Sequence, residues 1–243
     1  MMFDCHTHIL PGIDDGSRSV EKSISMLLSM ADNGVSDVFL TPHFNMMMYK
    51  NIDEFLEKRQ ESFDLLKSAI ADIPGEDGKK LSRMKLYCGA EVAFNCGMHK
   101  ADGLKKLCID NTNCLLLELP YMPWKESVFD EVRAITEEAE LSVVLVHIER
   151  FRRVNKKFES YVELHSIAAA MQINAESLFS FWDKRFCVKL IKNNMVNLLG
   201  SDCHGMTSRP PNVHLGYEFI RENFGDDVYE EFISSPKKML EQK

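Results

Sequence analysis

Apolar residues along this chain follow two alternating patterns. Short apolar runs, with 114–119 and 143–146 the longest, have the length of buried strands. Between these runs, apolar residues recur every three or four positions, which is the spacing of one helix face. The runs predict strands over 3–8, 35–41, 84–92, 114–119, 141–147, 171–175 and 196–201. The wider spacing predicts helices over 17–33, 51–73, 126–140, 161–170 and 179–193, a short one near residue 104, and further helix after residue 211.

Two segments are predicted to lack regular structure. Residues 74–80 read PGEDGKK, and this mixture of proline, glycine and charge favours a polar surface turn. Residues 237–243 are predicted to form a C-terminal tail. Neither segment separates regions of different composition, so we expect residues 1–243 to form a single domain.

The seven predicted strands alternate with helices, without a linker or an internal repeat. This alternation predicts an α/β fold with a parallel sheet, and continuous apolar strands indicate burial on both faces. A chain of 243 residues has about the size of one α/β barrel. We therefore favour a closed barrel-like sheet, with an open doubly wound sheet as the alternative.

Composition and charge exclude several classes of function. A chain with 45% hydrophobic and 27% charged residues can form a sizeable core, and no apolar run approaches the length of a membrane span, so we expect no membrane insertion. A net charge of −8 argues against a nucleic-acid partner. Seven cysteines without a C-x-x-C motif, and the lack of a signal peptide, indicate a cytoplasmic protein with reduced thiols.

The first predicted strand carries a His-x-His motif. On a strand, His6 and His8 lie on one face about 7 Å apart, a separation at which both can bind one metal ion. The turn that follows contains Asp14 and Asp15, which can fold back toward that ion. A single His-x-His is more often a coincidence than a metal site, so the rest of the chain decides its meaning.

Histidines and carboxylates also occur at the C-terminal ends of other predicted strands, the edge at which α/β barrels build their active sites. The candidate metal ligands are His6, His8, Asp15, His43, Glu91, Glu118, His147, Asp202 and His204. Nine imidazole and carboxylate ligands are too many for one ion and suit two or three divalent ions such as Mn²⁺, Fe or Zn²⁺. We expect Glu91 to bridge neighbouring ions. Such clusters activate water as hydroxide and hydrolyse phosphate esters.

The motifs H-x-H, G-I-D-D-G, T-P-H, G-A-E, V-H-I-E-R and S-D-x-H followed by R-P-P occur in order along nearly the whole chain. Together they resemble the polymerase and histidinol phosphatase (PHP) superfamily. Within it, the likeness is greatest to the manganese-dependent protein-tyrosine phosphatases of capsular and exopolysaccharide biosynthesis, the CpsB/YwqE type. The resemblance implies a distorted seven-stranded (β/α)7 TIM-like barrel, with the active site at the C-terminal ends of the strands and three metal ions, manganese first among the candidates.

The resemblance also implies a role for individual residues. His6, His8, Glu91 and Asp202 would hold one ion; Asp15, His43 and His204 would surround a second; Glu118 and His147 would complete a third with Glu91. The substrate-binding arginines would be Arg150 and Arg209, whose planar guanidinium groups suit phosphate oxygens. Asp15 would bind metal, whereas Asp14 would brace the turn or contact a ligand.

The implied function is a metal-dependent phosphomonoesterase that acts on protein phosphotyrosine with metal-activated hydroxide. Its partner would be a tyrosine-phosphorylated protein, the tail of a bacterial membrane tyrosine kinase of polysaccharide export. A small-molecule phosphatase such as histidinol-phosphate phosphatase is one alternative. A non-catalytic metal-bound protein that docks the kinase is the other.

Cys203 and Arg209 also have the C-x5-R spacing of cysteine-dependent tyrosine phosphatases, in which a thiolate attacks phosphorus. Three features argue against that mechanism here. Gly205 lies two residues after the cysteine instead of the usual three, and Pro210 interrupts the helix that should begin at the arginine. Cys203 also lies between two facing ligands, so on a strand it points away from them.

Other polar and apolar residues near the strand ends leave alternatives open. Asn174 would contact substrate or serve as a structural amide, and residues 46–49 would form an apolar wall for a substrate or pack ordinarily. The basic residues between 152 and 157 would attract an acidic phosphopeptide or form a solvated face. The histidines that match no motif, which we expect on the surface or on helices, are His99, His165 and His214.

Overall fold

The computed structural model describes residues 2–241 and shows a mixed α/β fold, as the alternating pattern predicts. Within this range the strands are β1 Met2–Thr7, β2 Val35–Leu40, β3 His43–Phe44, β4 Lys85–Cys88, β5 Glu91–Ala93, β6 Cys114–Glu118, β7 Ser142–Leu145, β8 Ala170–Asn174 and β9 Leu198–Gly200. The α-helices are α1 Val20–Asp32, α2 Ile52–Ala71, α3 Gly75–Arg83, α4 Glu126–Glu137, α5 Phe158–Ile167, α6 Lys184–Lys192, α7 Val213–Phe224 and α8 Asp226–Leu240. Short 3-10 helices span Met98–Lys100, Leu104–Leu107, Ile148–Arg153 and Ala175–Leu178.

The strands form a curled parallel sheet. One part has the order β1-β2-β4 and the other the order β3-β5-β6-β7-β8-β9. The curl brings β1 beside the end of β9, where the His8 N–H donates to the Cys203 carbonyl at 3.1 Å and the Asp202 N–H to the His6 carbonyl at 2.8 Å. Because every strand pair is parallel, the C-terminal ends of the strands meet at one edge.

The described residues contain nine strands instead of the predicted seven, because one predicted strand is split and one short strand, β3, was not predicted. The run 35–41 forms β2, and β3 follows beyond its predicted end, after Pro42, which has no N–H to donate to a neighbouring strand. The run 84–92 divides into β4 and β5 at Gly89, where a Cβ would lie 2.4 Å from Ile109 Cδ1. The strands are thus interrupted immediately before His43 and Glu91, which both belong to the candidate site.

Both segments predicted to be irregular contain helix. Residues 74–80 belong largely to α3, in which Leu81 is buried, Glu76 lies in the first turn and Arg83 in the last, as the helix dipole favours. Helix α8 continues to Leu240 because Met239 packs into the core. Residues 242 and 243 of the predicted tail lie outside the described residues. Conversely, one predicted helix is shorter than expected: the helix predicted over 179–193 begins only at Lys184.

His99 is not an ordinary surface histidine, because it is held against a buried glutamate of α4. Its Nδ1 lies 2.7 Å from Glu131 Oε1, which also accepts the His99 backbone N–H at 2.9 Å, and Glu131 Oε2 accepts the Gly97 N–H at 2.6 Å. Burial raises the pKa of Glu131, but these contacts more than offset it and the net pKa is lowered. This carboxylate therefore stabilises the fold at neutral pH, and the effect is lost as the pH falls through that lowered pKa.

We expect Glu131→Gln to lower the free energy of unfolding by about 1–3 kcal/mol, because the amide replaces one charged acceptor with a donor facing a backbone N–H. Urea denaturation monitored by circular dichroism measures the change. The matched control is Glu138→Gln, since Glu138 is exposed and lies 3.8 Å from the other nitrogen of His99. Equal stability of both variants and the wild type would contradict this account of the pair.

Among the described residues, no helix combines the length and the apolar character needed to cross a membrane.

Candidate metal centre

The C-terminal edge of the sheet gathers every ligand-type side chain that the sequence pointed to. Glu118 is the last residue of β6 and His6 the last but one of β1, whereas His43 and Glu91 begin the short strands β3 and β5. The other candidate ligands lie in the loops that follow strands. Their ligating atoms form four groups, within each of which all atoms lie within 4.8 Å of one another. The groups are His8, Asp15, His43 and His204; His6, His8 and Asp202; His6, Glu91 and His147; and His43, Glu91 and Glu118.

Glu91 lies at the centre of this arrangement and is buried. Its Oε2 lies 3.2 Å from both His6 Nε2 and His8 Nε2, and 2.8 Å from His43 Nδ1. Its Oε1 lies 2.6 Å from His147 Nε2. Burial raises the pKa of Glu91, but the surrounding histidines lower it well below the usual range. One ionised carboxylate therefore contacts four imidazoles.

Asp202 is a second ionised carboxylate of the cluster, beside that of Glu91. Its Oδ1 lies 3.3 Å from His8 Nε2, and its Oδ2 accepts hydrogen bonds from the Asn174 amide at 3.1 Å and from the Arg150 guanidinium. Burial opposes ionisation, but His8, His6 and Arg150 hold the pKa of Asp202 below its usual range. Asn174 is thus tied to the candidate site as a structural amide that orients this carboxylate.

The two adjacent aspartates of the first turn face different partners. Asp15 is exposed, and its Oδ1 lies 3.4 Å from His43 Nε2 and 3.2 Å from His204 Nε2. Asp14 lies deeper, with Oδ2 2.7 Å from His8 Nδ1 and accepting the His43 backbone N–H at 3.1 Å. Asp14 therefore orients His8 through the ring nitrogen that faces away from Glu91, a common arrangement behind metal-binding histidines.

The donor set fits divalent metal ions. Burial lowers the pKa of His147 and takes that of His204 to about 4, so both imidazoles are neutral at pH 7, the form that binds metal. His6 Nε2 and His8 Nε2 face each other at 3.2 Å, and both face carboxylates. The close contacts of buried Glu91 Oε2 with ring nitrogens and of His204 Nε2 with Asp15 do not have the geometry of hydrogen bonds. Imidazole nitrogens and carboxylate oxygens that lie this close together can bind the same cation.

Arg150 and Arg209 lie at the open side of the cluster. The Arg150 side chain is 39% exposed and donates to Asp202 from the 3-10 helix after β7. The Arg209 side chain is 34% exposed and places Nη1 3.5 Å from Asp202 Oδ1 and Nη2 3.4 Å from Asp15 Oδ2. Arg209 and Asp202 both have positive φ, 49° and 51°, as does His147 at 33°. Such backbone strain is concentrated at functional sites.

Comparison with known proteins assigns the chain to a family. The family model described as "Capsular polysaccharide synthesis, CpsB/CapC" matches residues 2–241. The chain belongs to this family. The resemblance seen in the motifs is thereby confirmed.

Two curated relatives and one solved structure show the extent of the likeness. The chain is 26% identical over 252 residues to tyrosine-protein phosphatase CpsB of Streptococcus agalactiae, covering 98% of each chain. It is 27% identical over 240 residues to tyrosine-protein phosphatase YwqE of Bacillus subtilis, covering 93% of this chain and 87% of the relative. A solved structure from a study of YwqE from Bacillus subtilis and CpsB from Streptococcus pneumoniae, called unique metal-dependent tyrosine phosphatases, matches with a TM-score of 0.81 at 23% identity. It covers 100% of this chain and 96% of that one, and shows a common fold.

Three buried polar residues behind the ligands were not found from the sequence. Gln172 Oε1 accepts the His147 N–H at 2.8 Å and lies 3.3 Å from His6 Nδ1. Asp4 Oδ1 accepts the Ser201 N–H at 2.8 Å, and burial raises the pKa of Asp4 to about 6. Glu149 accepts the Ser177 hydroxyl at 2.8 Å, and burial raises its pKa to about 7. The sequence signal that could have identified these three residues is a polar residue inside or directly after a predicted strand that is otherwise apolar.

The structure gives no support to a thiolate at Cys203. Its side chain is fully buried, and burial raises the pKa of the thiol well above its ordinary value. The backbone N–H of His204, directly after the cysteine, donates to the Arg209 carbonyl at 2.9 Å and is therefore engaged within the loop. Cys5 is likewise a buried core thiol with a raised pKa.

Proposed function

We propose that this chain is a metal-dependent tyrosine-protein phosphatase, a phosphoric monoester hydrolase of capsular polysaccharide synthesis. The observation that carries the proposal is the contact of the Glu91 carboxylate with four imidazoles at the C-terminal edge of the sheet. The curated relatives that match nearly the whole chain are named tyrosine-protein phosphatases. The family model and the site thus point to the same chemistry.

We further propose that two or three divalent cations, manganese first among them, are held by the nine side chains of the four groups. Glu91 would be shared between ions, because its two oxygens face different histidines. When bound, such ions polarise the phosphoryl oxygens and supply an activated water for in-line displacement. The mixture of imidazole and carboxylate suits manganese, iron or zinc.

The roles of the arginines follow from their position beside the ligand groups. Asp202 draws Arg150 and Arg209 toward the cluster and leaves about a third of each side chain exposed. A phosphate at the open side would meet two guanidinium groups, whose planar forks match its oxygens. We propose that both arginines bind the phosphate and offset the charge that develops as it is transferred. Glu118 lines the same open side and is 35% exposed.

We also propose a single-domain, barrel-like protein of the cytoplasm. A family model that spans residues 2–241 supports a single domain. Because β4 and β5 divide one predicted strand and β3 directly follows β2, we propose that the strands occupy seven positions of a TIM-like barrel. Free buried thiols such as Cys88 and Cys187 suit the cytoplasm. We propose a tyrosine-phosphorylated protein, the tail of a membrane tyrosine kinase, as the substrate.

Hydrolysis measured with added Mn²⁺ on three phosphate esters at matched concentration tests the proposal. We expect a phosphotyrosyl peptide to be turned over at least about tenfold more efficiently than histidinol phosphate or a phosphoseryl peptide, because a phenolate is the better leaving group. A preference for histidinol phosphate would indicate the small-molecule phosphatase. Full metal content without turnover of any aryl phosphate would indicate the non-catalytic docking protein.

A further inference from the structure

Most exposed large apolar side chains of the described residues lie at the edge of the sheet that carries the candidate site. Eleven such side chains are exposed within residues 2–241, and eight of them follow the C-terminal ends of strands. These eight are Met47, Met48, Tyr121, Met122, Phe179, Phe181, Trp182 and Met206. The other three, on helices, are Leu65, Val162 and Leu215. Apolar exposure concentrated on one face is typical of an interaction surface.

The most exposed part of this set is an aromatic pair in the loop between β8 and α6. Phe181 is 86% exposed and Trp182 is 67% exposed, and their rings meet edge to face at 5.1 Å. The loop is held in place, because the Ser180 hydroxyl donates to Asp183 Oδ2 at 2.9 Å and the Asp183 N–H donates back to Ser180 Oγ at 3.3 Å. An ordered loop that presents two aromatic rings can bind a partner at low entropic cost.

This loop is fastened to the same turn that carries Arg150. Arg152 Nε donates to Asp183 Oδ1 at 2.6 Å, and Glu149 Oε1 accepts the Ser177 hydroxyl at 2.8 Å. Within one 3-10 helix, Arg150 therefore faces Asp202 of the candidate site while Arg152 faces the aromatic loop. A molecule with its phosphate at Arg150 would have its flanking parts beside Phe181 and Trp182.

We propose that the loop 179–183 is a docking element for the polypeptide on either side of the phosphotyrosine, and that Phe181 and Trp182 determine a preference for phosphoprotein over small aryl phosphates. The inference rests on the phosphatase activity proposed above. The phosphate of phosphotyrosine lies at the end of a long rigid side chain, so the backbone that carries it stays at the level of the loops while the phosphate enters the cluster. A small phosphate ester does not reach that level.

The charges around the pair define the chemistry of the flanking residues. Arg153, Lys156 and Lys157 are exposed on the neighbouring turn, and Lys184 and Arg185 are exposed directly after the loop. This local positive charge contrasts with the net charge of −8 for the whole chain. Charge complementarity therefore favours a polypeptide with acidic and apolar residues next to the tyrosine. A membrane is the poorer occupant, since a flat surface resting on loops around the cluster would close it to substrate.

The test compares wild type, the double variant Phe181→Ser with Trp182→Ser, and the control Val162→Ser, which changes an exposed apolar residue on α5. The substrates are free phosphotyrosine and a phosphotyrosyl decapeptide with acidic and aromatic flanks, each with Mn²⁺. We expect the double variant to raise KM for the decapeptide about tenfold, as loss of aromatic contacts at an interface does, and to leave free phosphotyrosine unchanged. Exchanging the acidic flanks for lysines is expected to raise the wild-type KM in the same direction.

Four results overturn the inference. The double variant could leave both substrates unchanged, or weaken both equally. It could abolish sedimentation of the protein with phosphatidylglycerol vesicles while the decapeptide KM stays the same, which would assign the pair to a membrane. It could instead shift the sedimentation coefficient with unchanged kinetics, which would assign the pair to a second copy of the chain. Failure of the proposed function is distinguishable, because wild type would then hydrolyse neither substrate.

Discussion

Glu91→Gln is expected to lower kcat/KM for an aryl phosphate by more than about a hundredfold, since loss even of an outer partner of a metal site costs 10–100-fold. The amide keeps the volume of the carboxylate but removes the charge that faces four imidazoles. It also presents a donor where the histidine nitrogens and any cation require an acceptor. Metal content, measured by inductively coupled plasma mass spectrometry after gel filtration, is expected to fall together with activity.

The matched control for this variant is Glu131→Gln. Glu131 is also a buried glutamate in contact with a histidine, but it lies between α4 and the Met98–Lys100 helix, outside the four groups. Its substitution is expected to reduce stability and leave metal content and activity close to wild type. Glu91→Gln with full metal content and wild-type activity would remove Glu91 from the centre of the site.

Arg150→Ala is expected to lower kcat by about 10²–10³-fold, the usual cost of removing one donor to a developing negative charge. Arg150 is the guanidinium tied to Asp202, so its position is fixed before substrate arrives. Arg150→Lys keeps the charge but loses the planar fork, and we expect it to recover only part of the loss. Steady-state kinetics on an aryl phosphate separate the effect on kcat from that on KM.

Arg153→Ala is the control, because Arg153 is an exposed arginine of the same 3-10 helix and does not belong to the ligand cluster. It is expected to leave hydrolysis of a small aryl phosphate unchanged. A rise in KM with unchanged kcat in Arg150→Ala would mean that Arg150 binds the substrate and the transition state equally well. Equal effects of the two alanine substitutions would mean that general positive charge, not the position of Arg150, matters.

The ligand-type residues could be found from the sequence because two simple rules act together. Alternation along a strand places His6 and His8 on one face, and parallel strands bring their C-terminal ends to one edge. These rules need only the order of apolar runs, which local composition provides. They therefore located residues as distant in the chain as His8 and Asp202, whose side chains lie 3.3 Å apart. Asp15, which lies in a turn, was selected over Asp14 by the resemblance to the family.

The break in the strand predicted over 84–92 could not be found in the same way. Where β4 gives way to β5, the interruption depends on a contact between distant residues, the approach of Ile109 to Gly89. Gln172 was missed for a related reason: its amide contacts two ligands from different strands, and no local pattern distinguishes it from an isolated polar residue in the core. The strand interruption and the contacts of Gln172 both depend on tertiary packing between residues that are distant in the sequence.

The helix errors have opposite physical causes. Residues 74–80 have weak helix formers, but a buried Leu81 and charges matched to the helix dipole stabilise α3. Residues 179–183 continue the apolar pattern of α6, and helix was therefore predicted, yet Phe181 and Trp182 are exposed on a loop. Apolar periodicity assumes that apolar side chains are buried, and it fails where they are displayed at the surface.

The most direct test of the central claim measures aryl phosphate hydrolysis by wild type and Cys203→Ser, each with chelator and with chelator followed by excess Mn²⁺. The account predicts that Cys203→Ser keeps activity, because the thiol is buried and protonated, and that chelator abolishes the activity of both proteins until Mn²⁺ restores it. An inactive Cys203→Ser, with wild type indifferent to chelator, would contradict the account and establish a cysteine nucleophile in place of the metal centre.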